Sequence, residues 1–370
     1  MLGKKAIILQ DPLQSLSLYM LSALGDESSN VVVSPYSAFA TLLMVASISK
    51  DSTRKQVLDT LKMGGDISVE NLLTSLRNLM QTIEKETPNG IVQGANSLWP
   101  NKNLCVDMSV YSPLIEHLGI EIVPVEFPQP GCDIINQRIE EITHGLIQRI
   151  LNPSDMSQDT ETIITNAIYF NAKWRKPFQS RNTHDNTFTL LNGTHKTTKF
   201  MFQKSKFFYC EDSSAQVLSM DYVNNFSMVV ILPKQNDANS IRALKSSLSS
   251  GKYQTYVDML GPKEVEVTFP KFKHTWGTKS LREMFQKMGI NDLFDSRIEE
   301  RYISDILQKA VIDVDEERTE AAAATVGIVA MSMFIPEQPT RFTADHPFLY
   351  FVTHNNGTIL FAGEYIEPEE

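Results

Sequence analysis

The sequence predicts an α+β protein with largely antiparallel sheets. Three observations carry that reading. Over roughly the first 150 residues apolar side chains recur at three- and four-residue spacing; from Thr160 onward β-branched and aromatic runs are bounded by turn residues; and the two patterns do not alternate as βα units would. No fixed-period repeat and no Gly/Ser-rich or Pro-rich linker divides the chain, so one domain over residues 1–370 is expected.

Taken in order, Leu13 to Leu24, Thr53 to Leu61, Val69 to Glu84 and Ile134 to Ile142 read as amphipathic helices. Between the first two lies SSNVVVSPYSAFATLLMVASIS, starting at Ser28, the longest uncharged run and long enough to raise the question of a membrane span. Pro35 and the scattered Ser, Asn and Thr positions argue against one. The better parse is a short strand from Asn30 to Val33, Ser34 as N-cap, Pro35 at the first helical position, and a buried helix through Ala38, Leu42 and Leu43.

Strands are predicted in TETIITNAIYFNAKW, FYCEDSSAQVLSMDY, FSMVVILPK, YVDMLGPKEVEVTFPKF and KAVIDVDEE, with a helical interlude from Ser280 to Gly289. The last stretch, PFLYFVTHNNGTILFAGEYI, reads as a hairpin turning through Asn355, Asn356 and Gly357.

Hydrophobic residues at 42% and charged residues at 21% describe a chain able to bury a sizeable core. A formal charge of -10 repels phosphate backbones and anionic lipid, so neither nucleic acid nor a membrane is an expected partner. Cys105, Cys132 and Cys210 show no C-x-x-C spacing, which leaves room for at most one disulfide and writes no zinc site. MLGKKAIILQD is too short in apolar residues for a secretory leader; the compartment, cytoplasmic or secreted without an evident signal peptide, stays open, as does glycosylation at the sequons of Asn192, Asn225 and Asn356.

Enzymatic signatures are missing: no H-E-x-x-H, G-x-S-x-G, Walker loop or G-x-G-x-x-G occurs, and the seven histidines are scattered. No catalytic residue, metal or cofactor is therefore assigned. The acidic run Asp313, Asp315, Glu316 and Glu317 alternates with Ile312 and Val314, as in a strand with one solvated face, and lacks the glycine turn of a calcium loop. Stranger is Ala321 to Pro336, sixteen residues without charge, small at first and then carrying Met331, Met333 and Phe334. Its alanines favour helix, while Thr325, Val326, Ile328 and Val329 favour strand.

KAVIDVDEERTEAAAAT followed by FTADHPFLYFV resembles the hinge and C-terminal signature of the serpins. NVVVSPYSAFATLLMV, GANSLW, INQRIEEITHGLI, TNAIYFNAKWRKPF, FSMVVILP, VEVTFPKFK and LREMFQKMGINDLFD look like further blocks of that family, in its order and over nearly the whole chain. The chain is most similar to the ovalbumin-type intracellular branch, near the leukocyte elastase inhibitors. The resemblance implies a single domain of three β-sheets and eight or nine helices, with an exposed reactive loop over about 316–340. It implies a suicide-substrate protease inhibitor, not an enzyme: the cleaved loop inserts as a strand into the main sheet and drags the acyl-linked protease with it.

That implication explains the odd composition. Each inserted residue advances about 3.3 Å, so Thr319 to Met331 corresponds to about 40 Å of strand. Glu320 must face solvent, because an unpaired buried carboxylate is costly. Ala322, Ala324 and Val326 then share its outward face, and Thr319, Ala321, Ala323 and Thr325, all small, face inward.

The hinge so implied comprises Glu316, Glu317, Arg318, Thr319, Glu320, Ala321, Ala322, Ala323, Ala324 and Thr325, with Arg318 standing where relatives usually have glycine and expected to slow insertion. The family's polar shutter maps onto Ser34, Ser37 and Asn166, with Gln308 in place of the usual histidine, so no pH-sensed shutter is expected. The breach maps onto Trp174 and Lys271, the latter placed to pair with Glu316, either as a gate or as an ordinary exposed ion pair worth about 0–1 kcal/mol.

Family spacing puts the reactive bond between Ser332 and Met333, with Met331-Ser332 and Met333-Phe334 as alternatives. No Lys or Arg lies between Thr319 and Thr340, so serine proteases with apolar or small primary pockets, chymotrypsin-like, cathepsin G-like or elastase-like, are the implied targets. Cysteine proteases and a non-inhibitory binding role remain the alternatives. Over Leu72 to Gly90 only Arg77 and Lys85 face Glu84 and Glu86, so glycosaminoglycan activation is not expected, and a monomer is.

Overall fold

The computed structural model describes residues 9–25, 29–64, 67–86, 92–103, 108–170, 172–275, 277–299, 302–316 and 339–369. The hinge beyond Glu316 and the whole reactive segment, including Met331, Ser332, Met333 and Phe334, lie outside the described residues, as does Cys105.

Among the described residues there are nine α-helices. They are α1 (Gln10–Leu24), α2 (Pro35–Ile48), α3 (Asp51–Thr60), α4 (Val69–Lys85), α5 (Ser112–Leu118), α6 (Gly131–Ile142), α7 (Ala238–Ser247), α8 (Tyr253–Met259) and α9 (Arg282–Lys287). The strands of the first half are β1 (Val31–Val33), β2 (Val92–Pro100), β3 (Glu121–Ile122) and β4 (Thr162–Phe170). Next come β5 (His184–Thr189), β6 (His195–Glu211), β7 (Ala215–Asp221), β8 (Phe226–Pro233) and β9 (Gly261–Pro270). The last are β10 (Phe272–Thr275), β11 (Lys279–Ser280), β12 (Asp305–Val314), β13 (Thr340–Thr343), β14 (Phe348–His354) and β15 (Ile359–Tyr365).

The α+β class and the predicted helices α1, α3, α4, α6 and α9 are present. Helix α2 starts as its sequence dictates: Pro35 opens it, and the Ser34 side chain caps it by accepting from the Ser37 N–H. It is buried almost all round, hence a continuous apolar helix in place of an amphipathic one. The terminal hairpin is also present, turning through Gly357 at φ 89°, a backbone region that favours glycine.

Three expectations need correction. Tyr256 to Met259 belong to helix α8, and the strand of that stretch begins only at Gly261. Helix α7 is a second helix in the strand-rich half, nucleated by Asp237, whose carboxylate accepts from the N–H groups of Asn239 and Ser240. Strands β2 and β3 lie inside the helix-rich front.

Counted by pairing, the three sheets that the resemblance implies, two of them being continuous with each other, appear as two ladders. One runs β10-β12-β4-β2-β3, with β11 also on β12; the other runs β1-β15-β14-β8-β7-β6-β9-β13, with β5 on β6. The physical reason is β6, 17 residues long, which pairs β5 at its start, β9 along its middle and β7 at its end, fusing two sheets into one hydrogen-bonded network.

Three apolar clusters hold these layers. One gathers α1, α2, α3, α4 and α9 with the lower parts of β4 and β12. A second lies between the two ladders and takes Ile168, Phe170, Ala310, Ile312 and Val314. A third packs α6 and the segment through Leu151 on the opposite face of β4 and β12, burying Ala167, Tyr169, Leu307 and Val311. The face of β12 expected to be solvated is therefore largely covered; Asp313 on that face is half-buried.

Candidate functional site

Strands β4 and β12 are parallel and directly paired over eight positions, from Ile163 opposite Asp305 to Phe170 opposite Ile312. Parallel neighbours are slightly less stable per residue than antiparallel ones. This seam is where the polar residues singled out from the sequence converge.

At mid-height Gln308 lies opposite Asn166, which lies opposite Asn96 of β2, so three amides form one row across three strands. The row sits where the helix-side cluster, with Ile164 and Ile306, gives way to the inter-sheet cluster, with Ile168 and Ala310. Gln308 accepts from the Ser34 N–H at 2.9 Å and donates to the Ser34 carbonyl at 2.9 Å. Ser34 Oγ donates to the Leu360 carbonyl at 2.8 Å, which ties the same point to β15.

Ser37 Oγ donates to Asn96 Oδ1 at 2.8 Å, and Asn166 Nδ2 donates to Asn96 Oδ1 at 2.9 Å and to Thr41 Oγ1 at 2.7 Å. Asn166 Oδ1 is buried with no hydrogen-bond partner among the described residues. Such an orphan acceptor costs about 1–3 kcal/mol. The closed seam therefore carries a local deficit.

Sequence reasoning missed Asn96 and Thr41. Thr41 had a signal: Ser34, Ser37 and Thr41 follow three- and four-residue spacing on one side of α2. Asn96 had none.

The upper end of the seam is closed differently. Trp174, just beyond β4, donates its indole N–H to the carbonyl of Asp315, just beyond β12, at 2.9 Å. Its ring stacks on Tyr222 with centroids 4.0 Å apart and an interplanar angle of 12°. Lys271 Nζ, next to β10 on the far side of β12, lies 2.7 Å from Glu316 Oε2.

The Glu316 side chain is only 10% exposed and that of Lys271 is 44% exposed, so water reaches the pair from the lysine side. Burial pushes the Glu316 carboxyl up, but the Lys271 ammonium and a backbone hydrogen bond outweigh that and hold it below the usual range. The hydrogen bond to Glu316 in turn raises Lys271.

The outer face of the seam is fastened through α6. Asn136 accepts from the N–H groups of Ile150 and Leu151 at 2.9 and 3.0 Å and donates to the Leu151 carbonyl at 2.9 Å, folding that segment back onto the helix. Lys309 of β12 donates to the Arg149 carbonyl at 2.7 Å, and burial pushes its ammonium down. Lys309 was not singled out from the sequence.

Among the described residues no group of three His, Cys, Asp or Glu side chains could hold a metal ion. No described helix is long and apolar enough to cross a membrane. Cys132 and Cys210 are buried free thiols.

What this arrangement can do is mechanical. Two parallel strands are clasped at top, middle and outer face, and the chain leaving β12 at Glu316 returns as β13 at Thr340. The profile of the family described as Serpin (serine protease inhibitor) matches residues 13–368. Human leukocyte elastase inhibitor is 30% identical over 374 residues, covering 96% of this chain and 97% of that protein. The crystal structure of Serpin48 from the insect Tenebrio molitor superposes with a TM-score of 0.84 at 26% identity, covering 100% of both chains. Native protease nexin-1 with heparin gives 0.85 at 25% identity, covering 97% of this chain and 99% of that one.

Proposed function

The chain belongs to the serpin family, and from that premise we propose that it is a suicide-substrate inhibitor of chymotrypsin-like, cathepsin G-like or elastase-like serine proteases. Acting as one domain and as a monomer, it offers the bond between Ser332 and Met333 to the protease. The protease hydroxyl adds to the Ser332 carbonyl, the amine of Met333 leaves with a proton, and an ester links the enzyme to Ser332. Insertion of the hinge then competes with hydrolysis of that ester.

The observation that supports this reading is the seam itself: parallel β4 and β12, paired over eight positions, with Glu316, the first residue of the expected hinge, held by Lys271 at its upper end. A segment turning back at Glu316 runs antiparallel to both strands. Its insertion exchanges one parallel ladder for two antiparallel ones, adding backbone hydrogen bonds and improving their geometry. The inward residues Thr319, Ala321, Ala323 and Thr325 are small enough to pass.

The test is to mix the chain with chymotrypsin, pancreatic elastase, trypsin or papain and run a denaturing gel. A covalent complex with the first two, releasing a C-terminal peptide that begins at Met333, is expected; a peptide beginning at Ser332 or Phe334 moves the bond by one residue. Thr319→Arg is expected to abolish the complex while cleavage continues, because a guanidinium would have to be buried without a partner. An uncleaved chain that forms no complex points to a binding protein, and a complex with papain alone points to cysteine proteases.

A further inference from the structure

Trp174 closes the top of the seam with its indole N–H, and it also helps to line a cavity of about 190 Å³. Phe178, Phe207 and Met220 share the lining and, like Trp174, are less than a tenth exposed. Around this apolar floor stand three cations, Arg175, Lys176 and Lys206, against the single carboxylate of Asp221.

Two of the three are engaged. The Arg175 guanidinium lies 3.5 Å from Asp221 Oδ2. Lys176 donates to the Lys206 carbonyl at 2.6 Å and lies over the Phe207 ring at 5.8 Å. The Lys206 ammonium has no hydrogen bond or ion pair among the described residues, although its residue lines the cavity.

A greasy floor with an unpaired cation at its edge and a net local charge of about +2 from these four side chains is complementary to one kind of ligand. We propose that this cavity binds a small amphipathic organic anion, its apolar body against Trp174 and Met220 and its acid group on Lys206. The volume limits the body to about one fused ring system, since pockets for drug-sized ligands run to roughly 300–1,000 Å³.

Occupancy has a consequence for the hinge. The ligand packs on an indole that is holding the Asp315 carbonyl, one residue before Glu316. A ligand that binds the closed top of the seam better than the open one stabilises the closed form by linkage. This coupling rests on the inhibitory reading above; the binding site does not.

The experiment titrates 8-anilino-1-naphthalenesulfonate into the intact chain and follows its emission and the transfer of excitation from tryptophan. One saturable site is expected, weakened at least fivefold by Lys206→Glu, abolished by Ser219→Leu, which fills the cavity, and deprived of most energy transfer by Trp174→Phe. The neutral analogue N-phenyl-1-naphthylamine should bind at least fivefold more weakly than the sulfonate. Absence of saturable binding, or binding that Lys206→Glu leaves unchanged, overturns the site. Lys206 is exposed, so that variant decides the matter even should Ser219→Leu fail to fold.

With the site saturated, the yield of covalent protease complex should fall and the fraction of cleaved, released chain should rise. An unchanged partition overturns the coupling alone. A chain that binds the probe yet complexes no protease, with or without it, overturns the coupling and the inhibitory reading together while the site stands.

Discussion

The middle and the top of the β4–β12 seam are closed by different chemistry. In the middle, Gln308, Asn166 and Asn96 are neutral amides, and Gln308 and Asn166 are nearly or fully buried. None of these groups titrates in the physiological range. At the top, an indole holds a carbonyl and an ammonium holds a carboxylate, with Lys271 still 44% exposed. The middle resists opening with hydrogen bonds that are costly to leave unmade; the top resists with a charge pair that water and salt weaken.

The largest expected effect breaks the middle. Gln308→Leu leaves the Ser34 N–H without its partner, a buried donor worth about 1–3 kcal/mol when orphaned, while the Ser34 carbonyl keeps the hydrogen bond from the Ala38 N–H. Denaturant unfolding should show a loss of about 1–3 kcal/mol on that basis. A loss below 0.5 kcal/mol would mean that water or a neighbour replaces Gln308. Gln308→His sharpens the same point: it should add a stability change between about pH 5 and 7 to whatever the native chain shows, seen as a pH-dependent difference in melting between the two chains.

A smaller effect is expected from the outer face. Lys309→Met removes the hydrogen bond to the Arg149 carbonyl but also a partly buried charge. The net loss in stability should be about 1 kcal/mol or less. Hydrogen exchange should nevertheless speed up in the segment from Thr143 to Leu151 relative to α2, and equal protection in both variants would remove Lys309 from the closure.

The smallest belongs to the top. Glu316 has a depressed pKa in the folded chain, so its contribution is present above its unfolded pKa of about 4.3 and is lost as pH falls through the lower folded value. Glu316→Gln should therefore melt below the native chain at neutral pH by an amount corresponding to about 1 kcal/mol or less. The gap should shrink toward zero below pH 4 and narrow in high salt. A gap independent of both pH and salt would mean that packing, not charge, holds Glu316.

How much of this could be read beforehand follows the same physics. Helices with a wet and a dry side announce themselves by spacing, as α4 does, and α2 is legible through its Ser-Pro start although it is buried all round. The second half of α8 reads as strand in the sequence because Tyr256 and Val257 run into the β-rich stretch without a turn residue before Gly261. Strand β2 hid among helices because Gly94 and Asn96 interrupt its apolar pattern. Family resemblance, not periodicity, drew attention to Ser34, Ser37, Asn166, Gln308, Trp174, Lys271 and Glu316. It could not say that they form two separate groups, one neutral and one charged, since Gln308 reaches Ser34 across 274 positions of sequence.

The central claim is that the seam is a waiting place for another strand. Its most direct test is to nick the loop with a catalytic amount of a protease that cuts between Ala321 and Phe334, then compare melting of the intact and nicked chains by circular dichroism. Insertion would add a strand paired on both edges, so the nicked chain is expected to melt tens of degrees higher and to resist denaturant that unfolds the intact one. Superimposable melting curves before and after the cut would contradict the account.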